Sequence, residues 1–143
     1  LAWKVVKELV HRRFPGVQSV SSDKLANWLA GDMPPPVLID VREREEYEVS
    51  HLPNAQHLPT FEAIQQADTP TDATLVLYCS VGYRSARLAQ QLQDNGYKNV
   101  MNLDGSIFEW YNQGRPVVVD GQRVKQVHPY SRTWGVLLEG GTG

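Results

Sequence analysis

The residue types best suited to covalent chemistry gather around one cysteine. Cys79 ends the apolar run Leu75-Val76-Leu77-Tyr78 and opens the stretch Ser80-Val81-Gly82-Tyr83-Arg84-Ser85, from whose end a helix is expected, about Ser85 to Asn95. A cysteine at a strand end, followed by a tight loop and a helix, sits where backbone N–H groups converge and the helix dipole favours negative charge. Arg84 adds a permanent cation. Both influences favour thiolate over thiol, so Cys79 is expected to act as a nucleophile near neutral pH. A lone cysteine beside an apolar strand is more commonly inert packing. The coincidence of Gly82 for the turn, Arg84 for charge and an immediate helix start outweighs that reading here.

Such a nucleophile needs a frame. Val37-Leu38-Ile39 and Leu75 to Tyr78 are short, wholly apolar runs, as expected of strands buried on both faces. Further strands are expected at Val17 to Val20 and Val100 to Leu103, with helices between them, such as the one that follows the cap Ser21-Ser22 and carries Leu25, Ala26, Trp28 and Leu29. Strands alternating with helices predict an α/β domain: a three-layer arrangement around a central, mainly parallel sheet. In such a sheet the carboxyl ends of the strands share one edge, where ligands bind. Asp40 to Glu43, Cys79 to Ser85 and Asp104-Gly105 all reach it.

Two flanking segments frame this core. Residues 1–16 read as an amphipathic helix with Trp3, Val6, Val10 and Phe14 on one face and Leu9 alongside, stopped by Pro15-Gly16 and expected to dock on the domain. Residues 17–115 form the expected core domain, and 116–143 an extension, with a hairpin around Asp120-Gly121 and an apolar anchor at Trp134, Val136, Leu137 and Leu138.

Composition narrows the possible roles. The chain has 143 residues, 41% of them hydrophobic and 21% charged, with 4 Trp, 6 Tyr and 3 Phe, which suits one globular domain with its own core. Its 14 Lys and Arg against 16 Asp and Glu leave a net charge of -2, which attracts neither nucleic acid nor anionic lipid over a whole face. No apolar run approaches the roughly 20 residues that span a bilayer. One cysteine excludes an internal disulfide framework and a cysteine-rich zinc site, and suits a reducing, cytoplasmic compartment. The first residue is Leu1 rather than Met, which leaves room for a natural N-terminus and a targeting segment upstream.

With these features in view, the sequence resembles the rhodanese sulfurtransferase family. Cys79-Ser80-Val81-Gly82-Tyr83-Arg84-Ser85 is similar to its active-site loop, while Leu38-Ile39-Asp40-Val41-Arg42 and His51-Leu52-Pro53-Asn54-Ala55 resemble two further signatures in the expected order. Residues 103–110 resemble a fourth, whose usual second glycine is Ser106 here. The resemblance implies that the Cys79 thiolate takes the outer sulfur of a small anionic donor such as thiosulfate and holds it as a persulfide. An acceptor (cyanide, a cellular thiol or a protein) then removes it. It also implies that the N–H groups from Ser80 to Ser85, and so Val81, Gly82, Tyr83 and Arg84, cradle the anionic sulfur. Arg84 would orient the donor, and Ser85 would cap the helix and donate to sulfur. Asp40, Arg42 and His51 are expected in support, tying loops at the rim rather than reacting. No prosthetic group or metal is required, since His11, His57 and His128 show no ligand spacing. Glu43, Glu45, Glu46 and Glu48 read as a solvated face, and Tyr83 as a ring at the mouth of the loop.

Two rivals come from other classes. One is a non-catalytic binding module of the same fold, whose members commonly lack the cysteine that this chain retains. The other is a cysteine-dependent phosphatase or arsenate reductase. The spacing from Cys79 to Arg84 leaves a loop smaller than a phosphoryl group demands, and a persulfide, unlike a disulfide cycle, needs only one cysteine.

Overall fold

The computed structural model describes residues 2–129. In chain order these form α1 (Ala2–Arg13), β1 (Gln18–Val20), α2 (Ser22–Ala30), β2 (Val37–Asp40), α3 (Arg44–Val49), β3 (Gln56–His57), α4 (Phe61–Gln66), β4 (Thr74–Tyr78), α5 (Tyr83–Asp94), β5 (Asn99–Leu103), α6 (Ser106–Asn112), β6 (Val117–Val119) and β7 (Gln122–Val124). The first five strands make one sheet in the order β1-β5-β4-β2-β3, with every pairing parallel. The chain is therefore an α/β domain, as the alternation of apolar runs and helical patterns predicts. β4 lies at its centre, where Val76 is level with Leu38 and Met101, and Leu77 with Ile39 and Asn102.

Strand side chains alternate between faces, and in β4 this alternation sorts the core into two layers. Val76 and Tyr78 join Leu25 of α2 and Ile107, Phe108 and Trp110 of α6 on one face. Leu75, Leu77 and Cys79 point to the other, against Ile64 of α4 and Leu88, Ala89 and Leu92 of α5. Each fully buried Leu, Ile or Phe in these layers contributes on the order of 1.5–3 kcal/mol. The same period of two that buries Leu75 and Leu77 therefore carries Cys79 beneath α5 and Tyr78 towards α6.

Local signals set the helix starts. Ser21 caps α2 by accepting the Lys24 N–H, at 3.1 Å, and Thr60 caps α4 by accepting that of Ala63 at 3.0 Å. α1 docks through Val10 and Phe14 onto Ala86 of α5, while Val5 and Leu9 remain more than half exposed. Trp3 and Val6 pack, partly buried, against the cluster of Leu25 and Phe108, so the face Trp3, Val6, Val10 and Phe14 docks and Leu9 beside it stays outside. The hairpin turn has Asp120 at φ 51° and Gly121 at φ 77°, the paired left-handed residues that a tight two-residue turn requires. Val117 and Val127 share the buried cluster of Leu38 and Val76, and His51 bridges to Val118. The anchor expected at Trp134, Val136, Leu137 and Leu138 lies outside the described residues.

Candidate active site

The loop that follows Cys79 is built by one backbone turn. Gly82 adopts φ 114°, a conformation open to glycine and strained for other residues. The turn lets the chain leave β4 and enter α5 at once, so the helix begins at Tyr83 rather than near Ser85. Gly82 is its cap. Ser85, expected as the cap, lies inside the first turn, and this is a correction that the φ of Gly82 explains. The first N–H groups of α5 have no partners within the helix and so remain available to an anion at the loop. The Gly82 N–H donates to Cys79 Sγ at 3.2 Å, and the Ser85 hydroxyl lies 3.4 Å from the same sulfur. Ser85 Oγ also reaches Asn102 Oδ1 at 2.5 Å and the Gly82 carbonyl at 3.3 Å. A hydroxyl has one hydrogen, so these acceptors compete for it.

Cys79, Ser80, Val81 and Ser85 are buried, Arg84 is half-buried and Tyr83 is 41% exposed. The Tyr83 ring stands at the mouth with its edge on Phe14, 5.2 Å between centroids. Arg84 is turned to a carboxylate: its guanidinium donates to both Glu46 oxygens, at 2.9 and 3.0 Å, and to Ser80 Oγ at 2.8 Å. Glu46 is therefore not part of a solvated face. It is buried, accepts the Glu43 N–H at 3.0 Å and takes a hydrogen bond from Ser80 at 3.1 Å. Its neighbours Glu43, Glu45 and Glu48 are exposed, as expected. Burial alone would favour the protonated acid at Glu46. The hydrogen bonds from Arg84 and Glu43, with the charges of Arg84 and Arg42, outweigh it and hold the carboxyl below its ordinary value of 4.5.

The supporting residues form a second, drier network. Asp40 and Arg42 are both fully buried; Arg42 Nη2 donates to Asp40 at 2.7 Å and to the Ser50 carbonyl at 2.6 Å. These bonds tie β2 to the segment after α3. Tyr78 donates to Asp40 at 2.7 Å and accepts the Leu52 N–H at 3.0 Å. Burial and the nearby Asp40 charge push its phenol well above 10, which keeps that donor protonated. His51 contacts backbone, with Nδ1 3.1 Å from the Tyr47 carbonyl and its ring stacked on Tyr47 at 3.9 Å. Asp40, Arg42 and His51 thus bond within the scaffold and to backbone, while Gly82 and Ser85 are the loop residues that contact the sulfur.

Three functional positions escaped sequence reasoning besides Glu46. Asn102 donates to the Gly82 carbonyl at 3.1 Å and so braces the turn. Its signal was available: one amide interrupts the apolar run Val100, Met101, Leu103. Ser106 accepts the Cys79 N–H at 3.2 Å and donates to the Leu103 carbonyl at 3.1 Å, with φ 49°. The residue that replaces the expected glycine therefore keeps a left-handed backbone and uses its hydroxyl to hold the cysteine. Tyr78 looked like ordinary strand filler.

A parallel sheet with a cysteine loop at its carboxyl edge defines the class. The rhodanese-like domain family matches residues 21–113, and the chain belongs to it. A sulfurtransferase of Allochromatium vinosum is 34% identical over 103 residues, 71% of this chain and 95% of that protein. A tRNA uridine(34) hydroxylase of Erwinia tasmaniensis is 34% identical over 102 residues, 64% of this chain. The match spans only 29% of the hydroxylase's length. Among solved structures, a rhodanese-like domain protein of Staphylococcus aureus superposes with a TM-score of 0.62 at 26% identity, covering 73% of this chain and 99% of that one.

Proposed function

We propose that this chain is a sulfurtransferase that carries sulfane sulfur as a Cys79 persulfide, with thiosulfate as a competent donor. The observation that carries the reading is the sulfur's setting: Cys79 Sγ lies against the Gly82 N–H and the Ser85 hydroxyl, at the start of α5. Negative charge on sulfur meets donors already in place, which costs no reorganisation during reaction. The full-length sulfurtransferase relative supports the same chemistry.

In the first half-reaction the Cys79 thiolate attacks the outer sulfur of thiosulfate. A new S–S bond forms to Sγ, the donor's S–S bond breaks, and its electron pair leaves with sulfite. In the second, cyanide or a thiolate attacks the outer sulfur of the persulfide, and the electron pair of the Sγ–S bond returns to Cys79. The N–H groups of Ser80 to Ser85 hold the anionic persulfide between the two steps. Arg84, clamped by Glu46, shapes this cradle and lends it partial positive potential. Because Cys79 is only 1% exposed, a slim donor that leads with a single sulfur atom suits the opening.

Intact-mass measurement after incubation with thiosulfate tests the reading. The reduced chain is expected to gain one sulfur, to lose it to cyanide, and to gain none as Cys79→Ser. An unchanged mass with Cys79 still open to alkylation would overturn thiosulfate as donor. Failure with a persulfide donor as well would leave a binding module.

A further inference from the structure

The loop around Cys79 meets solvent through two side chains. Of the seven residues from Cys79 to Ser85 five are buried, whereas Tyr83 is exposed and Arg84 half-buried. A reagent approaching the sulfur meets these two first. Arg84 is fixed from within the domain by Glu46 and Ser80. Tyr83 has its ring contact, among the described residues, on the edge of Phe14, with an interplanar angle of 65°. Phe14 lies upstream of residues 21–113, which the family matches. It closes the last turn of α1, its N–H on the Val10 carbonyl at 3.0 Å, and its own carbonyl accepts the Val17 N–H at 3.1 Å. Its side chain is buried against Val10 and Ala86, and the Arg13 guanidinium lies 5.0 Å from its ring centroid. α1 is held on its other side by Lys7 to Glu109 at 2.8 Å and His11 to Asp104 at 2.9 Å. The helix therefore bridges the starts of α5 and α6, and those two starts hold Cys79 through the Gly82 N–H and the Ser106 hydroxyl.

We infer that Phe14 is a positioning residue for access to Cys79: it sets the Tyr83 ring as one wall of the opening, so that α1 restricts the sulfur to reagents with a narrow leading end. The physical basis is the asymmetry of the pair. Phe14 is fixed by packing and backbone bonds, and the exposed Tyr83 takes its position from Phe14. An edge-to-face contact favours one placement of the ring over the other rotamers open to an exposed side chain. Loss of the contact lets the ring leave the opening. Wide reagents then gain most, because slim ones already pass. The consequence for sulfur donors rests on the sulfurtransferase reading; the control of access does not.

Two readouts on the intact chain test this. The chain has one cysteine, so alkylation reads Cys79 alone. Iodoacetamide and iodoacetamidofluorescein carry the same reactive group on bodies of different width. In the wild type the rate ratio, wide over slim, is expected to lie well below that of N-acetylcysteine. Phe14→Leu fills the site on Ala86 without a ring edge and is expected to raise the ratio about 5-fold, the scale of one edge-to-face pair. Tyr83→Ala, at an exposed position, raises it at least as far. The double variant matches Tyr83→Ala, because Phe14 acts through that ring, whereas independent effects would multiply. Leu9→Ala, on the exposed side of α1, leaves the ratio unchanged. The second readout is turnover with cyanide as acceptor and thiosulfate or the wider benzenethiosulfonate as donor. From either donor the Cys79 thiolate takes the outer sulfur, and sulfite or benzenesulfinate leaves with the electron pair. The ratio of kcat/KM for benzenethiosulfonate over thiosulfate rises about 5-fold in Phe14→Leu. An unchanged alkylation ratio in Phe14→Leu or in Tyr83→Ala, or multiplied effects in the double variant, overturns the inference. If the alkylation ratios shift as expected while neither donor leaves sulfur on Cys79, the control of access stands and the sulfurtransferase reading falls.

Discussion

Two carboxylate–arginine pairs stand at the same edge of the sheet and do different work. Asp40 and Arg42 lie two residues apart in sequence and are wholly buried, and their bonds run to Ser50 and Tyr78, within the scaffold. Glu46 and Arg84 come from separate helices; the carboxylate is buried, while the guanidinium keeps 21% of its surface. The first pair ties the end of β2 to the segment after α3. The second holds Ser80 to the first turn of α5 beside Cys79. Both spend buried charge, but only the second leaves a cation within reach of solvent. The fully buried pair also leaves Arg42 Nη1 without a hydrogen-bond partner among the described residues, a cost that the tie between segments must offset.

The comparison breaks most easily at the buried pair. Arg42→Ala strands the Asp40 carboxylate and is expected to cost about 3–5 kcal/mol in denaturant unfolding. A loss under about 1 kcal/mol would show that the pair is incidental to the fold. Glu46→Gln comes next, at about 1–3 kcal/mol near neutral pH. Persulfide formation should also slow by about 10-fold as Arg84 and Ser80 lose their anchor. This loss carries a pH signature. Because the folded state holds Glu46 below 4.5, its stabilising contribution is present above that value and is lost as pH falls through the folded-state value. The stability gap between wild type and Glu46→Gln should therefore narrow between pH 7 and about 3.5, and a constant gap would contradict the assignment.

Ser106→Ala tests whether the cysteine's backbone needs its hydroxyl partner. It leaves the buried Cys79 N–H unpaired, for an expected loss of about 1–2 kcal/mol, read from thermal unfolding. The smallest effect belongs to an ion pair two residues from Glu46. Arg44 and Glu48 are 4.0 Å apart and both largely exposed, so Arg44→Ala should change stability by less than about 0.5 kcal/mol. A larger loss there would mean that burial is not what ranks these pairs.

Much of the site was legible because its signals are local. An apolar run, a cysteine, a glycine and a helix in direct succession specify a strand–loop–helix unit with the cysteine at its turn, without knowledge of the rest. Asp40 and Arg42 were legible for a similar reason, since each bonds the other across two positions of sequence. Glu46 was misread because its own segment is charged throughout, and nothing within residues 43–48 distinguishes the carboxylate that α5 will cover. Ser106 and Asn102 reach Cys79 and Gly82 across more than 15 positions of sequence, through contacts that exist only once β5 lies beside β4.

The order of apolar runs, caps and turns by itself determined the α/β class and the place of Cys79 at the carboxyl edge of the sheet. Those features follow from side-chain period and backbone preference, which act over a few residues. The tertiary structure alone decided that α5 starts at Tyr83, that Arg84 is clamped, and which glutamate is buried. Those outcomes depend on which surfaces of distant segments meet, and a charged side chain takes its role from the partner and the burial it finds there.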